Sequence, residues 1–372
     1  MHRSPLDERH RQLGAVLEER EGRTLPVSYG DIWAEYRAVR DGEGAGLIDL
    51  SHHALIEVSG AEAVQFLNGL VTNDMKTLSD GAWMPAAFPN AQGRLISSTR
   101  VINRGGAFLF NTEAASRASV YKTLERFTLA GDFHVTDRTD ETAQLSVQGA
   151  RAADVIGLAL GHEAASVERG RVAITSSVGA SISVIRATHT AEDGFDLFVD
   201  AGHAAPLWDA LRAAGARPTG LDALEILRIE AGLPRYGLDM DETNVVTEAG
   251  LDDAVSYTKG CYIGQEIIAR IHWRGHVAKK LAGLLFSDEG EVERGSRVLA
   301  ADGKDIGRVT SAAFSPHLSR TIALAYIKYD YLAKGTPARV ITGEAERSAT
   351  VAELPMVRGS WFESVDRAEP DA

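Results

Sequence analysis

One cysteine in 372 residues, Cys261, is the sparsest feature of this chain. A single thiol excludes an internal disulfide framework, and with it the small secreted scaffolds that depend on one. It also excludes a self-sufficient iron–sulfur cluster or multi-cysteine metal site, since those take several thiolates from one chain. Long apolar runs are missing too. Met1 to Arg23 is charged throughout and offers neither a signal-peptide core nor a membrane span. Positive charge is in deficit: the formal net charge of −13 argues against a protein that coats nucleic acid. No glycine-rich phosphate loop or dinucleotide fingerprint occurs, which weighs against a Rossmann-type enzyme. These absences lead to the expectation of a cytoplasmic protein that does not engage a membrane.

What is present is an ordinary globular composition, 44% apolar and 24% charged, in a chain long enough for two or three domains. Pro5 followed by Leu6, Leu13, Val16 and Leu17 predicts a short amphipathic helix. Ile32, Trp33, Tyr36 and Val39 behind the N-cap candidate Asp31 predict a second. Gly46–Leu50 and Ala54–Val58 read as strands, and Ser59-Gly60-Ala61-Glu62 has the spacing of a capping box before Ala63, Phe66, Leu67 and Leu70. Leu95–Ile102 and Ala107–Phe110 predict a hairpin across Arg104-Gly105-Gly106. Helices are expected through Val120 to Phe127, Ala150 to Leu160 and Ala204 to Ala214, between strands at Phe133–Val135, Leu145–Val147, Ile182–Ile185 and Phe195–Val199. Thr219-Gly220-Leu221-Asp222 offers another capping box, for a helix that stops at Gly232.

Two rounds of helices mixed with hairpins predict α+β lobes of the split βαβ kind, not a doubly wound parallel sheet. After Lys280, six short strands from Leu281–Phe286 to Thr350–Ala352, with Asp302-Gly303 as the clearest hairpin turn, predict a small β-barrel. The expected division is 1–278 for the two α+β lobes, 279–362 for the barrel and 363–372 for a polar tail.

The stretch richest in chemistry is Lys259-Gly260-Cys261-Tyr262-Ile263-Gly264-Gln265-Glu266. Its two glycines allow a tight backbone path that a Cβ resists, and Ile267 and Ile268 beyond it read as the opening of a helix or strand. A thiol near a helix start and an ammonium is expected to have a lowered pKa and more thiolate. The competing reading makes Cys261 a small buried hydrophobe, the usual fate of a free cysteine. Lys259 and the glycines favour a working thiol in an accessible turn.

Several stretches, taken in order, resemble the T-protein (aminomethyltransferase) superfamily of the glycine cleavage system. They include Leu25-Pro26-Val27-Ser28-Tyr29-Gly30-Asp31-Ile32, Gly46-Leu47-Ile48-Asp49-Leu50-Ser51-His52, Ala191-Glu192-Asp193-Gly194-Phe195-Asp196, and the run from Leu227-Arg228-Ile229-Glu230 to Asp239. The resemblance covers nearly the whole chain. It implies a three-lobed cloverleaf with tetrahydrofolate, or another reduced folate, at its centre. Lys259 to Glu266 is similar to a narrower signature, that of the YgfZ-type folate-binding proteins tied to iron–sulfur cluster maintenance and tRNA modification.

The resemblance implies that Glu192 meets the pterin, whose adjacent N–H donors suit a carboxylate's two oxygens. It places Arg228, Asn111 and Tyr236 at the folate as well, with Glu230 as a contact or a support. Arg228 and Glu225 also have the spacing of an ordinary helical ion pair. Cys261 and Lys259 become the catalytic candidates at the mouth of the folate site, supported by Gly260, Tyr262, Gly264, Gln265 and Glu266. From Lys259 to Lys280, five cations face the single acid Glu266, a local net charge of +4. Such runs are usually solvated faces; beside the cysteine motif this one suits the glutamate tail of a folate or an RNA phosphate.

One departure separates the branches. Aminomethyl-transferring enzymes follow a glycine-rich turn with two aspartates, one of them catalytic; here Gln92-Gly93-Arg94-Leu95-Ile96 leads into Ser97 and Ser98. A hydroxyl carries no negative charge to stabilise a developing iminium. Two functions therefore compete: a folate-dependent accessory protein serving iron–sulfur client enzymes or cluster carriers through Cys261, and a folate-dependent one-carbon transferase. No stably bound metal is expected. Gly275 interrupts His272 and His276, and His52 and His53 on a strand would point to opposite faces.

Overall fold

In the computed structural model, residues 2–20 and 22–362 are described; the expected tail at 363–372 lies outside them. The chain opens with β1 (His2–Arg3), α1 (Asp7–Gln12), β2 (Val16–Arg20) and β3 (Arg23–Ser28), whose strands form a small sheet in the order β1-β3-β2. The expected first helix is cut short: Gly14 takes φ +72°, and Val16 and Leu17 pair with Ser28 and Pro26 as strand. α2 (Ile32–Arg40) starts as expected, with the Asp31 carboxylate accepting from the backbone N–H of Trp33 and Ala34.

β4 (Gly46–Asp49) enters the sheet of the second lobe before the first lobe is built. The first lobe comprises β5 (Ala54–Ser59), α3 (Ala63–Leu70), β6 (Ala82–Pro89), β7 (Leu95–Arg104), β8 (Ala107–Thr112), α4 (Arg117–Glu125) and β9 (His134–Asp137). Its antiparallel sheet runs β6-β7-β8-β5-β9 over a core of Ile56, Leu67, Phe88, Phe110 and Phe133. β6 is not foreseen, because Pro85 and Pro89 demote a strand reading. It lies on the sheet edge, where a residue without an N–H is tolerated.

The second lobe follows with β10 (Thr142–Gln148), α5 (Ala152–Leu160), α6 (His162–Ala165), β11 (Val172–Ser177), β12 (Ala180–Arg186), β13 (Gly194–Asp200), α7 (Ala204–Ala213) and β14 (Arg217–Pro218). Its sheet order is β11-β12-β13-β10-β4-β14, and Leu47, Leu145, Phe195, Leu197 and Trp208 fill its core. All pairs are antiparallel except β4 with β14, so the expectation of α+β lobes rather than a doubly wound parallel sheet holds.

α8 (Leu221–Glu230) lies between α2 and the C-terminal barrel. Ala223 and Leu227 pack on Tyr36 and Val39 of α2, while Ile229 packs on Leu281, Ile322 and Leu324 of the C-terminal region. Burying each large aliphatic side chain stabilises by about 1.5–3 kcal/mol, so this helix is held rigidly from both sides. Its expected cap is corrected: Thr219 Oγ1 donates to Arg217 O, and the Gly220 N–H is met by Glu35 of α2 at 2.7 Å. The capping box at Ser59 is corrected too. Glu62 accepts from the backbone N–H of Asp132 at 2.8 Å, drawn to the bend before β9 that Gly60 approaches.

α9 (Gln265–Arg274) leads to β15 (Lys279–Phe286), β16 (Arg297–Ala300), β17 (Asp305–Ser315), β18 (Arg320–Lys328), β19 (Pro337–Thr342) and β20 (Ala345–Ala352). These six strands close in the order β15-β18-β17-β16-β19-β20, the barrel that the six short strands and their turns predict. No helix among the described residues is long and apolar enough to cross a membrane.

Candidate functional site

Polar side chains from all three lobes form one connected chain at the junction. In the first lobe, Asn111 of β8 stands opposite Arg100 of β7 and shares its face. Asn111 donates to Gln144 Oε1 at 2.7 Å, and Gln144 donates in turn to Asp196 at 3.3 Å, both within the second lobe's sheet. Arg100 donates to Asp196 at 2.8 Å, and His189 lies 3.0 Å from the same carboxylate. Burial works against the Asp196 charge, yet His189 and Arg100 hold its carboxyl down at about 2.

The chain continues through His52 and His53, which stand in the turn after β4 with ring centroids 4.7 Å apart. The expectation that they diverge rests on extended backbone; the turn removes that geometry. Burial lowers both imidazoles to about 3, with His53 adding to the effect on His52 and His189 to that on His53. His53 Nε2 lies 3.6 Å from Glu113, Glu113 lies 3.8 Å from Arg235, and Arg235 lies 3.5 Å from Glu225.

Arg228 closes the chain. Its guanidinium donates to Glu225, to Leu233 O at 3.1 Å, to Asp239 at 2.7 Å and to Ser311 of the barrel at 2.7 Å. The helical ion pair read from the spacing is present, but it is not solvent-facing: Arg228 is 3% exposed. Burial opposes its charge, and Asp239 and Glu225 raise it above the ordinary value.

Glu192 belongs to a neighbouring network on the other side of α8. One of its oxygens accepts from Arg40 at 2.6 Å; the other accepts from the Ser360 N–H at 2.8 Å and hydroxyl at 2.6 Å. Arg40 also binds Glu230, which accepts from Tyr36 and Ser315. Glu230 is thus a support joining α2, α8 and the barrel. Among the described residues Glu192 and Arg228 share no partner: Glu192 reaches α8 through Arg40 and Glu230, and Glu230 and Arg228, two residues apart on the helix, face different ways. Both of the Glu192 oxygens are engaged, so a ligand at this carboxylate must displace the Ser360 segment. Tyr236 packs with Ala87, Leu95, Met240 and Val246, and burial raises its phenol to about 12.

The cysteine motif forms an anchored loop. Cys261 is exposed, as are Gly260 and Ile263, while Lys259 and Tyr262 are buried on either side. Lys259 Nζ donates to the carbonyls of Asn68, Val71 and Asn73 at 2.7, 2.8 and 2.7 Å and lies 4.9 Å from the Tyr262 ring. This corrects the expectation of an ammonium facing the thiol. The ammonium caps the C-terminal end of α3, where orphan carbonyls and the helix dipole favour a cation. Burial pushes it down to about 8, against Asp74 and with Lys76. Gly264 is the left-handed residue that opens α9, at φ +78°, and a Cβ there would stand 2.4 Å from Asn90 O. Gln265 and Glu266 begin that helix. His272 and His276 each stack on a different ring, Tyr257 at 3.6 Å and Tyr329 at 3.7 Å.

At the turn expected to hold carboxylates, Ser97 is fully buried and bonded to the hydroxyls of Thr112 and Ser116 at 2.5 and 2.8 Å. Ser98, one residue on, points to the opposite face, the one shared by Arg100 and Asn111. A cleft of about 340 Å³, a size typical of ligand sites, opens beside Asp239, between the 238–244 segment and the barrel. Lys279, Arg294, Arg308 and Lys328 line it.

The comparisons account for this architecture. The pattern of the GCVT N-terminal domain matches residues 6–259, and that of the glycine cleavage T-protein C-terminal barrel domain matches residues 279–358. The chain belongs to the glycine cleavage T-protein family. An aminomethyltransferase of Rubrobacter xylanophilus is 36% identical over 328 residues, covering 88% of this chain and 87% of the relative. One from Herpetosiphon aurantiacus is 33% identical, covering 97% and 99%. The glycine cleavage system aminomethyltransferase T of Bartonella henselae has the same fold, with a TM-score of 0.88 at 24% identity over 96% of this chain and 98% of that one. Residues 260–278, which hold Cys261 and α9, lie between the two matched T-protein regions.

Sequence reasoning misses most of the junction. Arg100 and Gln144 come from within strands of different sheets, Glu113, His189 and Arg235 from the connections, and only the folded sheets bring them together. Asp196 alone carries a local signal, a carboxylate inside the apolar run Phe195 to Val199.

Proposed function

We propose that this T-protein family member binds tetrahydrofolate, or another reduced folate, at the three-lobe junction, and acts through Cys261. In this reading it supports iron–sulfur cluster assembly or repair in client enzymes, those that modify tRNA among them. The observation that carries it is an exposed thiol between two buried anchors, Lys259 and Tyr262. A loop held at both sides of its cysteine presents sulfur to a partner at little ordering cost. One thiolate cannot hold a cluster, so Cys261 would lend a ligand, a redox thiol or a nucleophile to an assembly completed by a client or carrier protein.

The folate part rests on the family and on the junction. Buried charges contribute little net stability, so a run of them across three lobes points to a ligand. The cleft is lined by Lys279, Arg294, Arg308 and Lys328 against Asp239, Asp241 and Asp305, a small cationic excess that suits the glutamate tail. Calorimetric titration with tetrahydrofolate tests this part. Exposed Arg308 changed to Glu should weaken polyglutamylated folate by up to about fivefold, the value of a rim ion pair, and leave the monoglutamate less affected. Absence of heat with the wild-type chain removes it.

A second reading, aminomethyl transfer to tetrahydrofolate, is favoured by the names of the relatives at 33–36% identity. Ser97, buried in a hydroxyl cluster, and Ser98 supply no carboxylate for it. Turnover of an aminomethylated lipoyl carrier with tetrahydrofolate distinguishes the two: robust transfer supports the second, and absence of transfer with retained folate binding supports the first.

A further inference from the structure

Two imidazoles and a carboxylate meet at the junction, and two of their buried polar atoms make no hydrogen bond among the described residues. His52 and His53 come from the turn after β4, which the His53 N–H closes on Leu50 O at 2.9 Å. Glu113 comes from the first residue past β8, in the other lobe. One ligating atom from each of the three lies within 4.8 Å of the other two, and His53 Nε2 stands 3.6 Å from Glu113 Oε2. His52 is 3% exposed, yet among the described residues its Nδ1 has no hydrogen-bond partner, and neither does the buried Glu113 Oε2. An unpaired buried polar atom costs about 1–3 kcal/mol, and two in one three-residue cluster call for a missing partner.

We propose that His52, His53 and Glu113 form a binding site for a divalent transition-metal ion, zinc above all. Zinc takes two imidazoles and one carboxylate in open sites that leave a fourth position for water or substrate. Calcium and magnesium prefer all-oxygen ligand sets and are excluded by the two nitrogens. In a tetrahedral zinc site, bonds of about 2.0–2.2 Å place ligand atoms about 3.3–3.6 Å apart. The His53–Glu113 pair already has that spacing, and small side-chain rotations bring the third atom in.

Arg235 opposes the ion. Its Nε lies 3.8 Å from Glu113 Oε2, but it also lies 3.5 Å from Glu225, which keeps it paired when a metal takes Glu113. The Arg100 guanidinium and His189 also face His53; Arg100 donates to Asp196 at 2.8 Å, and His189 lies 3.0 Å from the same carboxylate. A bound ion would clamp the β4 turn of the second-lobe sheet to the end of β8 in the first. The site stands independently of the folate reading, since its ligands are complete without one.

The test is zinc titration of folate-free Cys261→Ser protein, so that the exposed thiol does not compete, read by calorimetry and by the melting temperature. Uptake of one ion per chain with a raised melting temperature is expected. Cobalt(II) in the same protein should give the intense visible absorption of a tetrahedral nitrogen and oxygen site. Glu113→Gln and His53→Phe should each weaken uptake by more than about 100-fold, because losing even an outer-shell partner costs about 10–100-fold. Uptake unchanged in both folded variants overturns the site, as does a cobalt spectrum indistinguishable from the hydrated ion.

Discussion

The ammonium of Lys259 donates to the carbonyl of Val71 at 2.8 Å, joining positions 188 residues apart. Through this bond the cysteine loop becomes part of the first lobe, and the lysine acts as scaffold for the thiol rather than as its electrostatic partner. Lys259→Met removes one donor from three carbonyls. Each buried carbonyl left unpaired costs about 1–3 kcal/mol, less where water enters. The expected outcome is a clear loss of stability in urea unfolding, together with faster proteolysis within residues 259–264. A variant as stable as wild type would place the anchor elsewhere.

Gly264→Ala should fail for two reasons at once. The residue needs φ +78°, and its Cβ would meet Asn90 O at 2.4 Å. Left-handed backbone alone costs a non-glycine residue about 1–2 kcal/mol, and the overlap adds to it. Circular dichroism melts should show a lowered transition, while Gly260→Ala, with nothing within 4 Å of its Cβ, should melt as wild type does.

The Asp196 carboxyl is held at about 2, against 3.8 for an ordinary aspartate. A depressed folded-state pKa gives stability that is fully present above the unfolded value and is lost as pH falls through the folded one. Asp196 therefore contributes above about pH 4, and its contribution disappears toward pH 2. The melting temperature of wild type should fall more steeply across that window than that of Asp196→Asn. Parallel curves would show that the junction does not stabilise the charged form.

Much of the fold is legible in the chain because local rules and tertiary demands agree. Gly, Pro and Asp-Gly turns separate the six short barrel strands, and Asp31 caps α2 by its own side chain. Failures occur where a distant group takes over a local role. Glu35 replaces Thr219 at the start of α8, and Asp132 draws Glu62 away from its own helix. The site divides in the same way. The exposure of Cys261 follows from its glycines, whereas the destination of Lys259 depends on the far end of α3. The pairing of Arg228 with Glu225 is written in their spacing; their burial against Asp239 and Ser311 is not.

In the function proposed above, the exposed sulfur of Cys261 performs the work. The most direct test measures the activity of an iron–sulfur enzyme in cells lacking this chain, after restoring either wild type or Cys261→Ser. An exposed side chain contributes little to packing, so both proteins should accumulate folded to similar levels. Enzyme activity should recover with wild type and not with Cys261→Ser. Equal recovery with the serine variant would contradict that function.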